Sequence, residues 1–167
     1  MSMVGNLKRI SPALLNELLQ GEVELEEVLY GEEEVDQSLY LDKSWHAIHY
    51  LLNGAAWEGE EPLVHTVLGG TAIGEPDEDE MESGEYNPTR YLTPELVKQI
   101  SDALQGITEV ELQSRYNPEQ MTEMDIYPSI DWEDDGELEY VMDYYRELVA
   151  YYRDAAANQE AMLLYIT

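Results

Sequence analysis

The segment from Asp42 to Gly54 places the strongest constraint on how this chain can fold. It holds two of the three histidines and one of the three tryptophans. Asp42 is a residue type that caps helix N-termini, and Asn53 followed by Gly54 favours a helix end. The segment therefore predicts one short helix with a defined start and stop.

Two neighbouring faces can be assigned to this helix by taking about 100° per residue. The apolar face, which we expect to be buried in the core, consists of Leu41, Trp45, Ile48 and Leu52. The adjacent face is a polar stripe of Asp42, His46, His49 and Asn53. These four polar residues line one edge of the buried face, and polar groups beside a core must be hydrogen-bonded when they are covered.

Three interpretations of the polar stripe remain open. In the first, the histidines are structural: they sit at a groove edge and bond to backbone or to Asp42. In the second, they line a ligand-binding or catalytic groove with a histidine as general base, since histidine titrates near neutral pH. In the third, His46, His49 and a carboxylate, with or without His65, form a metal site.

A candidate groove follows from the second interpretation. Arg90 could hold an anion, and Tyr127 could cover an apolar part of a ligand. We expect the candidate ligand-binding residues to converge on one concavity: His46, His49, Asn53, Arg90 and Tyr127. Arg90 has a simpler alternative role, a structural ion pair with one of the many acidic residues. No catalytic residue is assigned.

The charge of the chain argues against several classes of partner. Among 167 residues, Lys plus Arg is 8, Asp plus Glu is 37, and the formal net charge is −29. Nucleic acids and anionic membranes need clustered cations, so neither is expected as a partner. A basic protein would be attracted. An acidic surface suited to a salty cytosol is the alternative.

Several cofactor and localisation signals are missing from the sequence. There is no cysteine, so thiolate zinc and disulfides are ruled out. Gly69-Gly70 lacks the lysine of a phosphate-binding loop, and no cofactor or metal is expected. The sequence shows neither a signal-like N-terminus nor an apolar run of membrane-spanning length. We therefore expect a cytoplasmic protein.

Strand and helix signals along the chain predict an α+β fold with a helical majority. The predicted strands are an opening strand within Met1–Ile10 and a closing strand at Ala161–Ile166, which pair or share one small sheet. The predicted helices begin near Ser11-Pro12, Thr93-Pro94, Thr108 and Asn117-Pro118, and the last runs from Leu138 to about Ala157 with Asn158 as a left-handed cap. Glu22–Tyr30 is either a further short helix or an extended turn. Acidic stretches at 32–34 and 74–88 predict loops.

A second stripe lies on the last helix, where Tyr140, Tyr144 and Tyr151 share one side opposite the main apolar face. Either the helix is packed on both sides, or these tyrosines line a binding surface.

The ordered motifs resemble the YfbM-like family of bacterial proteins, a domain of unknown function. The resemblance rests on Met1–Gly5, Asp42–Gly54, Leu68–Gly70, Tyr91–Glu95, Ile126–Pro128 and the Tyr-rich final helix. In the stretch 84–90 the chain keeps the family's glycine, proline and arginine but not its tyrosine–glycine order. The resemblance implies one cytoplasmic α+β domain over residues 1–167, and it implies no activity.

These observations lead to two functional hypotheses. The first is a non-catalytic protein-binding module that neutralises a basic partner. The alternative is a small-ligand-binding protein or an enzyme that uses the His/Arg/Tyr groove.

Overall fold

The two ends of the chain pair at the centre of one antiparallel sheet. The computed structural model describes residues 3–30, 38–73 and 88–167. Its strands are β1 (Gly5–Ile10), β2 (Ser38–Asp42), β3 (Thr71–Ala72), β4 (Arg90–Leu92) and β5 (Ala161–Ile166). They lie in the order β2-β1-β5-β4-β3. The register between β1 and β5 runs from Gly5 opposite Ile166 to Ile10 opposite Ala161.

Seven α-helices lie within the described ranges. They are α1 (Pro12–Leu19), α2 (Leu25–Tyr30), α3 (Trp45–Asn53), α4 (Pro94–Gln105), α5 (Glu109–Ser114), α6 (Pro118–Glu123) and α7 (Glu137–Ala157), and a short 3-10 turn covers Leu63–His65. The α+β class with a helical majority, predicted from sequence, is confirmed.

The sheet is covered on both faces, which explains the uninterrupted apolar run of β5. Successive side chains of a strand point to opposite faces. Met162 and Leu164 join the main core with α3, α4 and α7, whereas Ala161 and Leu163 join a smaller core with α1 and α2. Lys8 of β1 is buried on the smaller side, where its ammonium donates to the carbonyl of Val28.

Local capping chemistry sets most helix starts. The side chains of Ser11, Thr93 and Asn117 each accept a backbone N–H of the first turn, and a proline follows each of them. Thr108 and Glu111 form a capping box at α5. The predicted starts at these four positions are confirmed.

Two predicted caps are wrong. Asp42 does not cap α3; it ends β2 with a φ of 51°, and the helix begins after Ser44. The Asp42 carboxylate instead accepts the hydroxyl of Tyr140 at 2.8 Å, so a long-range contact replaces the local one. After α7 the left-handed residue is Gln159, with a φ of 56°, and not Asn158.

The tyrosine stripe of α7 packs toward the sheet. The Tyr140 hydroxyl also accepts the N–H of Lys43 at 3.3 Å. The Tyr151 hydroxyl accepts the N–H of Arg9 at 2.7 Å and donates to the carbonyl of Leu7 at 3.3 Å. These contacts fit a helix packed on both sides, with the hydroxyls satisfying backbone groups of β1 and of the residue after β2.

Two predicted loops cannot be compared with the structure. The acidic stretch at 32–34 lies outside the described residues, and so does the stretch at 74–88 except for Pro88. In the ranges that are described, the helices lack the combination of length and apolar character needed to cross a bilayer.

Candidate functional site

Helix α3 is buried on nearly all sides, including the predicted polar stripe. Trp45, Ile48 and Leu52 lie in the main core as the spacing predicts. His46 and His49 are also covered, with only 1% and 0% of their surface exposed. The stripe is therefore not the open edge of a groove.

His46 bridges two distant backbone segments with its two ring nitrogens. Its Nδ1 accepts the N–H of Tyr127 at 2.7 Å. Because Nδ1 is an acceptor, Nε2 carries the proton and donates to the carbonyl of Ala56 at 2.8 Å. A neutral ring in this tautomer satisfies both contacts.

His49 and Asn53 continue the same pattern one and two turns further along α3. Nε2 of His49 donates to the carbonyl of Glu58 at 3.2 Å, and its Nδ1 faces the Asn53 amide at 3.3 Å. The Asn53 amide donates to the carbonyl of Leu63 at 3.4 Å. Gly59 packs directly on Asn53, because a Cβ added there would collide with the amide oxygen.

The polar stripe thus anchors the segment after the helix. Three successive side chains of the stripe bind carbonyls of Ala56, Glu58 and Leu63 and hold residues 54–63 against α3. Of the three interpretations of the stripe, these bonds match the structural one, with backbone carbonyls as the partners.

Burial keeps both histidines neutral. Desolvation is the main cause that lowers the pKa of His46, and the neighbouring His49 adds to it, whereas the bond to Ala56 opposes it. Desolvation also lowers the pKa of His49, against the opposing bonds to the carbonyls of Glu58 and Trp57. Protonation would turn Nδ1 of His46 into a donor that faces the N–H of Tyr127.

We expect acidification to destabilise the fold through these two rings. In the unfolded chain a histidine titrates near its ordinary pKa of about 6.5. Folding lowers the pKa, so the unfolded state binds more protons below about 6.5 and stability falls as the pH drops. The slope is at most about 1.4 kcal/mol per pH unit for each ring. Urea unfolding at a series of pH values measures it.

Matched variants separate this effect from the titration of carboxylates. His46→Gln and His49→Gln should each remove part of the slope, whereas the contribution of the carboxylates should be the same in both variants and in the wild type. Imidazole NMR titration of the folded protein gives a second readout, in which both rings should titrate below the ordinary value. An unchanged slope in both variants, or ordinary titration of both rings, would contradict the assignment.

The five predicted groove residues do not converge on one concavity. Tyr127 stacks on Trp45 with ring centroids 5.4 Å apart, and its hydroxyl accepts the N–H of Met3. Asn53 lines a separate hollow of about 310 Å³ with Glu60 and Glu61. The prediction of convergence is wrong, because the segment 54–63 covers the stripe.

Arg90 lies in a different concavity, which we call the Arg90 concavity. It has a volume of about 390 Å³ and is lined by Met3, Trp45, Trp57, Leu68, Arg90 and Ile166. His46 stands directly behind it, since its ring lies 4.3 Å from that of Trp57. The sequence did not indicate a role for Trp57 in the candidate groove. Trp57 stands next to glutamates and a glycine, and this local sequence does not relate it to Arg90.

Among the described residues, no group of three or more His, Asp or Glu side chains is arranged to hold a metal ion. His65 lies apart from the stripe. Its Nδ1 accepts the N–H of Gly70 at 3.0 Å, and its Nε2 faces the Glu61 carboxylate at 3.2 Å. His65 therefore holds the turn that leads into β3.

Comparison with known proteins agrees with the sequence motifs and the fold. The chain is similar in structure to YfbM from Escherichia coli, a protein of unknown function, with 22% identity and a TM-score of 0.75. The match covers 98% of this chain and 99% of that one, and at this identity it shows the fold. No curated protein matches the chain. The sequence profile of a domain of unknown function, DUF1877, matches residues 1–165, and the chain belongs to this family.

Proposed function

We propose that this protein is a non-catalytic binding module of the bacterial cytoplasm that binds a basic protein through its acidic surface. One observation carries the proposal: most of the few cations already contact carboxylates or carbonyls of this chain, so few are left to meet a partner. The formal net charge of −29 then acts on any partner at long range.

The internal use of the cations is specific. Arg146 contacts three carboxylates, those of Glu109, Glu139 and Asp143, at 2.6, 3.1 and 3.0 Å. Arg9 pairs with Glu160 at 2.7 Å, Lys98 with Asp102 at 2.8 Å, and Arg115 donates to the carbonyl of Leu51 at 3.1 Å. A basic partner would meet carboxylates with little competition from these cations.

The turn before α7 offers a defined place for such contact. Its carboxylates Asp131, Glu133, Asp134 and Asp135 are exposed. They neighbour a hollow of about 440 Å³ lined by Lys43, Pro128, Ile130, Glu137 and Tyr140. A lysine or arginine has an apolar stem and a charged tip, so it can pack on Ile130 and Tyr140 while its tip reaches a carboxylate.

The histidines support a binding role over catalysis. A general base needs a nitrogen that can reach a substrate proton. Both nitrogens of His46 and Nε2 of His49 already hold backbone groups. Their lowered pKa fits neutral structural rings.

A charge-neutralised variant tests the proposed surface. Glu133, Asp134 and Asp135 are replaced together by Gln, Asn and Asn. The matched control replaces Glu24, Glu26 and Glu27, which are exposed on the far side of the sheet, by Gln. Wild type and both variants are immobilised and exposed to cytosol at low and high salt, and the retained basic proteins are identified and purified for titration.

The turn variant should weaken binding of a purified basic partner at least tenfold, and the control should change it much less. Binding should also weaken at high salt, since screening shortens the range of the interaction to about 3 Å at 1 M. Equal losses in both variants would indicate bulk charge only and overturn the proposed surface. If no basic protein binds and folding itself requires salt, the acidic surface reflects a salty cytosol instead.

A further inference from the structure

The Arg90 concavity has the size and walls of a small-ligand site. Its volume of about 390 Å³ lies within the range of small-molecule pockets, roughly 300–1,000 Å³. Two tryptophans, Met3, Leu68 and Ile166 supply apolar surface, and Arg90 supplies the charge. An apolar pocket with one polar group that fixes orientation is typical of binding sites for small molecules.

Arg90 differs from the arginines that are tied up elsewhere in the molecule. It lies on the short strand β4 and is half-buried. In the parts of the chain that the structure describes, no carboxylate forms an ion pair with its guanidinium. A guanidinium does not lose its proton in proteins, so the concavity holds a permanent positive charge. Among the described residues no acidic side chain neutralises this guanidinium, which therefore can bind an anion from solution.

Trp57 gives the concavity an exposed aromatic wall in a fixed position. About 60% of its surface is exposed, whereas Trp45 beside it is buried. The ring of Trp57 lies 6.5 Å from that of Trp45 and 4.3 Å from that of His46. The bonds of His46 and His49 to Ala56 and Glu58 hold the backbone on both sides of Trp57. An indole held this way can stack on a flat apolar group with little loss of side-chain freedom.

We propose that the Arg90 concavity binds a small carboxylate with an aromatic body. The planar fork of one guanidinium matches the two oxygens of one carboxylate. The ring of the ligand would lie against Trp57 and cover surface that is now exposed. The acidic charge elsewhere disfavours a ligand with several negative charges, so a single carboxylate suits the site. The Arg90 concavity shares no lining residue with the hollow beside the acidic turn at 131–135, and it does not rest on the proposed protein-binding role.

A panel of small aromatic carboxylates tests the proposal on the full chain: benzoate, phenylacetate, 4-phenylbutyrate, indole-3-acetate and 2-naphthoate. The neutral controls are 4-phenylbutyramide and indole-3-acetamide. Saturation-transfer NMR detects binding, and calorimetry measures the Kd. At least one carboxylate should bind saturably, and its amide should bind at least tenfold more weakly.

Variants then locate the site. Arg90→Gln keeps side-chain length and removes the charge, and it should weaken binding at least tenfold. Trp57→Ala should also weaken binding, while Arg153→Gln, at an exposed cation on α7, should leave the Kd unchanged. Circular dichroism checks that each variant is folded. If Arg90→Gln fails to fold, Arg90→Lys takes its place. It keeps the charge and should retain part of the affinity.

Four results would overturn the proposal. One is the absence of saturable binding by every member of the panel. Another is equal affinity for a carboxylate and its amide, which would indicate only an apolar contact. The third is an unchanged Kd in Arg90→Gln, which would show that Arg90 does not hold the carboxylate. The fourth is competition by inorganic phosphate at a concentration equal to that of the carboxylate, which would indicate a general anion contact.

Discussion

Trp45→Ala should lower the free energy of unfolding by about 3–5 kcal/mol. Trp45 lies at the start of α3 with only 1% of its surface exposed. Its ring stacks between His46 at 5.2 Å and Tyr127 at 5.4 Å. Alanine would leave a cavity among these rings that the rigid β1 and α3 backbones cannot close. Urea unfolding followed by circular dichroism measures the change.

The surroundings of Trp45 make this site unusually sensitive. Its Nε1 donates to the carbonyl of Met3 at 3.0 Å, which fastens the residues before β1. Gly5 of β1 packs so closely that an added Cβ would lie 2.8 Å from Cβ of Trp45. The indole therefore connects α3 to the N-terminal strand through packing and one hydrogen bond.

Trp57→Ala provides the matched control for Trp45→Ala. Both changes remove an indole, but Trp57 is mostly exposed. Trp57→Ala should therefore lower the free energy of unfolding by about 1 kcal/mol or less. A loss below about 1 kcal/mol in Trp45→Ala would show that Trp45 is not part of the core. Because Trp45 also lines the Arg90 concavity, its loss should weaken binding of an aromatic carboxylate there.

Sequence signals predicted those parts of the fold that depend on neighbouring residues. The caps at Ser11, Thr93, Thr108 and Asn117 bond within three residues, so they can be predicted from the local sequence. Asp42 looked like such a cap but bonds to Tyr140, 98 residues away, and no local pattern indicates that contact. Pairing of the chain ends was expected, whereas the strand order depends on packing across both sheet faces.

The candidate site likewise has a part that the sequence predicts and a part that it does not. Helical periodicity placed His46, His49 and Asn53 on one face, and all three do act together. What covers that face is the irregular segment 54–63, whose path has no periodic signal. Arg90 on β4 and Trp57, 33 residues earlier in the chain, line the same concavity. Sequence therefore indicated Arg90 as unusual and could not indicate its neighbours.

His46→Ala should lower the free energy of unfolding by about 2–4 kcal/mol. The change leaves the N–H of Tyr127 and the carbonyl of Ala56 without their partner, and an unsatisfied buried group costs about 1–3 kcal/mol. Both groups are half-buried, so the cost of each lies in the lower part of that range. Lost ring packing against Trp45 and Trp57 adds to the cost. Urea unfolding at neutral pH gives the value.

His46→Gln is the conservative counterpart, since an amide can both donate and accept. His46→Gln should recover part of the stability lost in His46→Ala. If His46→Ala itself lowers the free energy of unfolding by less than about 1 kcal/mol, His46 does not anchor the segment after α3. His46 also positions Trp57 from behind the Arg90 concavity. His46→Ala should therefore weaken binding of an aromatic carboxylate, although His46 itself does not contact the ligand. If His46→Gln restores both the free energy of unfolding and the Kd, ligand binding depends on the hydrogen bonds that His46 makes to the backbone. Lost binding with full stability would instead place His46 in direct contact with the ligand.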